Sequence, residues 1–167
     1  NNNFFRGGFG IRFNFYDFID PNGNPAEVST GLFNFNDNLF DSQSIAALRF
    51  DVQGVNGAVP TCAAFGISIS DNIFTILDSR GGTAISVPSY TNGVIAHVNI
   101  ADNIFGRYGT TNDLKYIDIS PGAGANIFGV KIGGNNFKSS FTSADVAVNF
   151  GAVGIGIDNH VDGTNTF

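Results

Sequence analysis

The chain has 167 residues, of which 43% are hydrophobic and only 13% are charged, and its formal net charge is −6. This length and composition predict one folded domain and exclude disorder driven by charge. Ile, Val, Phe, Tyr and Thr greatly outnumber the residues that fill helices, which excludes a helical bundle and predicts an all-β fold. The few Lys and Arg residues are scattered singly, so no nucleic-acid partner is expected.

The N-terminal part of the chain contains two predicted strands separated by a turn. Residues 9–15 alternate apolar and polar side chains, which is typical of a strand with one buried face. The turn-forming residues 20–25 take the chain out of the sheet. The next strand, residues 28–35, changes the phase of its apolar positions, which predicts a bulge near Gly31.

Further alternating segments predict the remaining strands. These segments cover residues 48–52, 63–69, 73–77, 83–87, 94–100, 114–119, 127–132 and 146–157. Asn56-Gly57 and Asn92-Gly93 favour type I′ turns, so each predicts an antiparallel hairpin. Two other segments, 41–48 and 143–147, could form short helical turns.

About nine or ten short strands with frequent turns predict two packed antiparallel sheets. The expected fold class is therefore an all-β antiparallel β-sandwich, which includes jelly-roll arrangements, and a closed β-barrel is the alternative. Residues 19–167 would form this domain, and residues 1–18 would form a separate N-terminal strand segment.

A short motif recurs along the chain. Asn36-Asp37-Asn38-Leu39-Phe40 is followed by similar sequences at 70–74, 101–105 and 125–128. The spacings of 34, 31 and 24 residues between these copies are too uneven for a solenoid. We therefore interpret each copy as a turn in which an Asp or Asn side chain bonds nearby backbone amides before a strand begins.

The chain has few side chains that could perform catalysis. Glu27 is the only glutamate, Cys62 the only cysteine, and His97 and His160 the only histidines. General acid–base catalysis needs paired carboxylates or a positioned histidine, and zinc needs three or four Cys or His ligands at a recognisable spacing. We predict no catalytic residue, and the chain is expected to be non-enzymatic.

Two loops combine the oxygen-bearing side chains that calcium prefers in proteins. The candidate ligands are Asp20, Asn22, Asn24 and Glu27 in the first loop and Asp158 and Asp162 in the second. The first loop departs from an EF-hand, because Pro25 stands where the essential glycine belongs. Calcium is the one cofactor that the sequence leaves open, with an ordinary turn as the alternative at both loops.

The N-terminal segment concentrates apolar side chains behind a polar leader. Its candidate assembly residues are Phe4, Phe5, Phe9, Ile11, Phe13 and Phe15. Such a strand can complete its own sheet, or it can be donated to a neighbouring subunit across the flexible Gly7-Gly8. Only three lysines are available to protect strand edges, so the edges invite pairing with another chain.

These features favour a structural subunit that self-assembles through strand edges or strand donation into an extracellular filament, sheath or surface assembly. Its expected partner is another copy of the chain. The alternative is a carbohydrate-binding or adhesive module, in which Tyr16, Tyr90, Tyr108 and Tyr116 would stack on glycan rings. No apolar run is long enough for a transmembrane helix, and the first residue, Asn1, fits a processed and secreted protein.

Overall fold

The computed structural model describes the strands of the fold and many of the corners between them. The described residues are 3–7, 9–16, 18–19, 22, 25–26, 28–43, 45–53, 62–77, 83–87, 93–108, 115–120, 126–138, 146–150 and 160–166. They contain seventeen β-strands and no helix.

Fifteen of the strands form three five-stranded sheets, and the neighbours in each sheet are parallel. Sheet 1 consists of β1 (Phe4–Arg6), β6 (Leu39–Gln43), β9 (Ile73–Leu77), β12 (Ile104–Tyr108) and β15 (Asn136–Lys138). Sheet 2 consists of β2 (Phe9–Tyr16), β7 (Ala46–Gln53), β10 (Thr83–Ser86), β13 (Lys115–Ile119) and β16 (Val146–Phe150). Sheet 3 consists of β5 (Val28–Asn36), β8 (Cys62–Ser70), β11 (Gly93–Ala101), β14 (Asn126–Gly133) and β17 (His160–Val161). The other two strands, β3 (Phe18–Ile19) and β4 (Pro25–Ala26), form an antiparallel pair.

The chain visits the three sheets in turn, which makes the fold a parallel β-solenoid. Each coil contributes one strand to sheet 1, one to sheet 2 and one to sheet 3, so β1, β2 and β5 form the first coil and β15, β16 and β17 the fifth. Parallel neighbours need a long connection between them, and the other two strands of the coil provide it. Successive coils therefore lie one strand spacing apart, about 4.8 Å.

The predicted antiparallel sandwich is wrong, and so is the closed barrel. Asn56-Gly57 lies outside the described residues, but the strands on either side of it, β7 and β8, belong to different sheets and do not pair. The strands on either side of Asn92-Gly93, β10 and β11, are also in different sheets. Alternating apolar and polar residues report that one face of a strand is buried, but they do not identify its partner.

Two local expectations also differ from the structure. Residues 41–48 contain the end of β6 and the start of β7 in place of a helical turn. Of residues 143–147, the last two begin β16 and the others lie outside the described residues. The strand predicted at 146–157 is described as far as Phe150.

Identical rings stack through the core beneath sheet 1. One inward residue of each strand is a phenylalanine, and the five are Phe5, Phe40, Phe74, Phe105 and Phe137. Successive ring centroids lie 4.8–5.1 Å apart, and their planes are within 12° of parallel. Sheets 2 and 3 add buried aliphatic columns such as Leu48, Ile85 and Ile117. The core is therefore a set of side-chain columns that run from coil to coil.

The recurring motif is the corner between sheets 3 and 1. Its first three copies are bends followed by a strand, as predicted, but the exclusion of a solenoid is wrong. At each corner a residue with positive φ precedes a buried asparagine. The positive-φ residues are Asp37, Asp71, Asp102 and Gly134, with φ of 57°, 58°, 56° and 68°. The fourth copy is thus Gly134-Asn135, whereas Asn126-Ile127-Phe128 lies inside β14. The buried asparagines at these corners, Asn38, Asn72, Asn103 and Asn135, are then 34, 31 and 32 residues apart, a spacing that fits a solenoid.

A second column of positive-φ residues crosses sheet 3. It consists of Leu32, Gly66, His97 and Gly129, with φ of 64°, 66°, 54° and 65°. The flanking residues of these four are aligned across neighbouring strands, so the bend does not disturb the register. The bulge predicted near Gly31 is therefore a left-handed bend at Leu32 that the neighbouring strands share. The bend explains the change of apolar phase in β5.

Replacing Leu32 with glycine is expected to raise the free energy of unfolding by about 1 kcal/mol, because a non-glycine residue in the left-handed region costs about 1–2 kcal/mol. The Leu32 side chain is 88% exposed, so its removal sacrifices little packing. Urea unfolding followed by circular dichroism measures the change. The matched variant Gly66→Ala should be destabilised, because its new Cβ would lie 3.2 Å from the Leu32 backbone nitrogen at φ +66°. A Leu32→Gly variant less stable than wild type would contradict the argument.

Candidate assembly interface

A ladder of asparagine side chains follows the corner between sheets 3 and 1. It runs through Asn3, Asn38, Asn72, Asn103, Asn135 and Asn165. At each step the backbone N–H and the Nδ2 of one asparagine donate to the Oδ1 of the asparagine in the next coil, at 3.0–3.3 Å. From Asn72 onward, Nδ2 also donates to two backbone carbonyl oxygens at 2.6–3.1 Å. The amides can be buried because their donors and acceptors are satisfied.

The first coil leaves one end of the core open. Its inward residues that remain only partly buried are Phe5, Ile11, Phe13, Phe33 and Phe35. The residues that occupy the same columns one coil later are Phe40, Leu48, Phe50, Ile67 and Ile69, and they are 0–1% exposed. In each column the first-coil residue therefore covers the second-coil residue, while the first-coil residue itself stays partly exposed. We call this apolar, mostly aromatic end of the solenoid the first-coil face.

The opposite end of the solenoid is also less buried than the middle. β16 and β17 are the edge strands of sheets 2 and 3 at this end. In sheet 1, Thr166 forms an isolated β-bridge with Asn136 of β15. Ala147 and Val148 are partly buried there, and Val161 is 41% exposed. We call this end the fifth-coil face. Edge strands at both faces present N–H and C=O groups that can pair with a further strand.

A charged cluster joins the first two coils in sheet 2. The Asp51 carboxylate is fully buried and accepts hydrogen bonds from Arg12 Nε at 2.5 Å and from Arg49 Nε at 2.8 Å. Its two partners come from adjacent strands, β2 and β7. The cluster therefore fastens the first coil, which carries the first-coil face, to the second coil.

Replacing Asp51 with asparagine is expected to lower the free energy of unfolding by about 1.5–3 kcal/mol, the usual worth of hydrogen bonds to charged groups. The loss stays in this range because both arginine side chains are partly exposed to water. The matched control is Arg6→Gln, which breaks the 3.4 Å ion pair between Arg6 and Asp41. The Arg6 side chain is 69% exposed. That change should cost less than about 0.5 kcal/mol. Equal losses in the two variants, measured by urea unfolding, would contradict the assignment.

The structure places all six candidate assembly residues in the first coil. Phe4 and Phe5 lie in β1, and the other four lie in β2. Phe4 is 60% exposed, whereas Phe5 and Phe13 stack on core rings of the second coil at 4.9 and 5.3 Å. Phe9 and Phe15 have described strand positions, but their side chains lie outside the described set. In this chain β2 pairs with β7 of its own sheet.

Most of the candidate calcium ligands cannot be placed. Asp20, Asn24, Glu27 and Asp158 lie outside the described residues. Asn22 lies in a turn, and the Asp162 carboxylate accepts a hydrogen bond from the Thr164 N–H at 3.0 Å. Within the described ranges, no three His, Cys, Asp or Glu side chains are grouped as metal ligands would be.

The histidines lie on the outer surface of sheet 3. His97 and His160 are both exposed, and the His97 ring makes an edge contact with Phe128 at a centroid distance of 5.8 Å. Cys62 is aligned with Gly93, which precedes His97 by four positions in the neighbouring strand. The described backbone therefore does not align the cysteine with the histidine, as a nucleophile and its base would require.

The ladder asparagines of the last two coils were missed from the sequence. They share Asn-x-Phe with the earlier corners, and this pattern recurs as Asn103-Ile104-Phe105, Asn135-Asn136-Phe137 and Asn165-Thr166-Phe167. In the first two of these the asparagine immediately precedes a strand of sheet 1, and both the asparagine and the phenylalanine are buried. The pattern alone does not identify the corner, because Asn126-Ile127-Phe128 matches it inside β14.

No protein-family model, curated protein or solved structure matches the chain. The described residues also include no apolar helix of membrane-spanning length.

Proposed function

We propose that this protein is a non-enzymatic structural subunit that self-assembles through the end faces of its solenoid into an extracellular filament, sheath or surface assembly. The observation that carries the proposal is the difference in burial between the first two coils. Phe5, Phe13 and Phe33 are partly buried, while the residues beneath them in the second coil are sealed.

The shape of the fold makes a second copy a suitable cover for the first-coil face. Soluble solenoid proteins usually have terminal repeats with a polar outer face. The first coil of this chain instead presents partly buried phenylalanine rings at its outer face. A coil from another copy would continue all three sheets and would remove the remaining apolar surface from water. Each partly buried ring that is covered gains a fraction of the roughly 1.5–3 kcal/mol of a fully buried apolar side chain. Several columns acting together can hold two subunits.

Sedimentation velocity and electron microscopy test the proposal directly. The protein at micromolar concentration should form elongated particles whose length grows with concentration, while their width stays that of one solenoid. Fibre diffraction from aligned particles should place the strand spacing of about 4.8 Å along the particle axis, because the coils stack along that axis. A strictly monodisperse monomer would refute the proposal.

A carbohydrate-binding or adhesive module is a second candidate. Phe65 and Phe128 are 39% and 37% exposed, and they share a column on sheet 3 with Ala96 between them. Aromatic rings along a flat face can stack on a polysaccharide. The tyrosine platform expected from the sequence is weaker, because Tyr116 is fully buried in the core.

A glycan array and a pull-down with insoluble polysaccharides test the second candidate. Under this candidate Phe65→Ala and Phe128→Ala would each weaken binding, while Leu32→Ala, a change at an exposed neighbour on the same sheet, would not. The absence of any bound glycan would remove it.

A further inference from the structure

The asparagine ladder has a direction. At every step the donors belong to the earlier coil and the acceptor to the later one, as where Asn72 donates to Asn103 Oδ1 at 3.0 Å. The ladder therefore begins with an acceptor, Asn3 Oδ1, and ends with a donor, the Asn165 N–H. Asn3 is exposed, and the Asn165 N–H makes a 3.3 Å contact with Asp162 O in place of the ladder bond.

Backbone hydrogen bonds at the same corner run in the opposite sense, with the donor in the later coil and the acceptor in the earlier coil. The backbone carbonyl oxygen of each ladder asparagine accepts a hydrogen bond from a backbone N–H of the next coil. The donor is the residue directly after that coil's own ladder asparagine: Leu39, which follows Asn38, donates to Asn3 O at 2.9 Å. Phe4 occupies the position of Leu39 in the first coil, so its N–H points away from β6. The matching acceptor at the other end of the solenoid is Asn165 O.

We propose that copies of this chain join head to tail, with the fifth-coil face of one copy on the first-coil face of the next. Asn165 N–H and Nδ2 then donate to the partner's Asn3 Oδ1, and the partner's Phe4 N–H donates to Asn165 O. This inference rests on the proposed self-assembly, and it specifies the two surfaces that meet and the polarity of the contact.

A symmetric contact would not continue the ladder. If two first-coil faces met, no asparagine donor would reach Asn3 Oδ1, because the Asn3 N–H and Nδ2 of each copy already donate to its own Asn38 Oδ1. A head-to-tail contact supplies the ladder donors to Asn3 Oδ1 and an acceptor to the Phe4 N–H. Because it uses two different faces, it also leaves each new end able to bind another copy, which produces an open and polar filament.

Two proline variants each block one face. Phe4→Pro removes the outward N–H of β1, and proline is tolerated on an edge strand whose N–H faces solvent. Val161→Pro removes the outward N–H of β17. The Asp162 N–H donates to Ile132 O of β14 at 2.7 Å, and successive N–H groups of a strand alternate in direction, so the Val161 N–H points away from β14. Phe4→Ala and Val161→Ala keep the N–H and are the matched controls. If a proline variant loses the wild-type circular dichroism spectrum, the corresponding lysine variant replaces it, since an edge charge also blocks strand pairing.

Sedimentation velocity of the variants, alone and mixed, tests the inference. Each proline variant alone should be a monomer with the wild-type spectrum, and an equimolar mixture should form a heterodimer of twice the mass and nothing longer. The alanine controls should assemble as the wild type does. The inference is overturned if one proline variant dimerises alone and mixing adds nothing, if both still form filaments, or if the mixture stays monomeric while the wild type assembles. A monomeric wild type would instead refute the proposed function.

Discussion

Replacing Asn72 with leucine is expected to lower the free energy of unfolding by about 3–5 kcal/mol, since each buried polar group left without a partner costs about 1–3 kcal/mol. The new side chain has a similar size, so the loss comes from hydrogen bonds. The Asn38 N–H loses its Oδ1 acceptor at 3.0 Å, and the carbonyl oxygens of Phe35 and Ser70 lose donors at 2.8 Å. All these groups lie in or beside the core, where water cannot replace the amide.

Urea unfolding of the Asn72→Leu protein, followed by circular dichroism, gives this change. The control is Asn34→Leu, which makes the same chemical change at an exposed position of β5 and should shift the stability by no more than about 0.5 kcal/mol. Hydrogen exchange should also show faster exchange at Asn38 and at Ile73, whose N–H donates to Asn38 O at 2.9 Å. Similar stability losses for the two leucine variants would show that the ladder does not hold the corner.

The positions of the strands could be predicted from the sequence, because burial of one face leaves a period of two. The segments predicted at 63–69 and 94–100 lie within β8 and β11, and the segment at 73–77 is β9. The partner of each strand could not be predicted in this way. An inward residue such as Ile67 is equally well buried whether the strand beside it is parallel or antiparallel.

The Asn-Gly pairs did not identify hairpins, and the reason is physical. Asn-Gly tolerates positive φ, and this tolerance serves a hairpin or any other bend equally well. In this fold positive φ is used at coil corners such as Asp71 and at the bend in sheet 3, as at His97. The solenoid is indicated by buried asparagines and phenylalanines that recur in every coil, and the regular spacing appears only with Asn135, and not Asn126, as the fourth asparagine.

The candidate interface could be predicted only in part. The apolar N-terminal segment indicated β1 and β2, which supply Phe5 and Phe13 to the first-coil face. Phe33 and Phe35 belong to the same face, but they come from β5, which is the strand of the first coil in sheet 3. Only the topology shows that these residues meet, since their rings contact Phe13 at 5.2 and 5.6 Å.

Replacing Phe74 with alanine is expected to lower the free energy of unfolding by about 3–5 kcal/mol, the usual cost of removing a fully buried phenylalanine. Phe74 is fully buried and stacks between Phe40 at 4.9 Å and Phe105 at 5.1 Å. The neighbouring rings are held by their own strands one spacing away on either side, so they cannot close the cavity without breaking the register. The loss is therefore expected near the upper end of the range.

Phe5→Ala and Phe65→Ala separate this effect from the general cost of losing a ring. Phe5 is partly buried and stacks on Phe40 at the end of the column, so its loss should cost about half as much as that of Phe74 by the area of ring removed from water. Phe65 lies on the outer surface and should cost about 1 kcal/mol or less. Urea unfolding of the three variants under one set of conditions gives the ranking.

The cost of Phe5→Ala also tests whether the first-coil face is covered in a single chain. If this change cost as much as Phe74→Ala in the monomeric Phe4→Pro background, the first-coil face would have to be buried within the single chain. In assembled wild-type protein the two losses should be closer together, because a docked copy would cover the partly buried Phe5 ring.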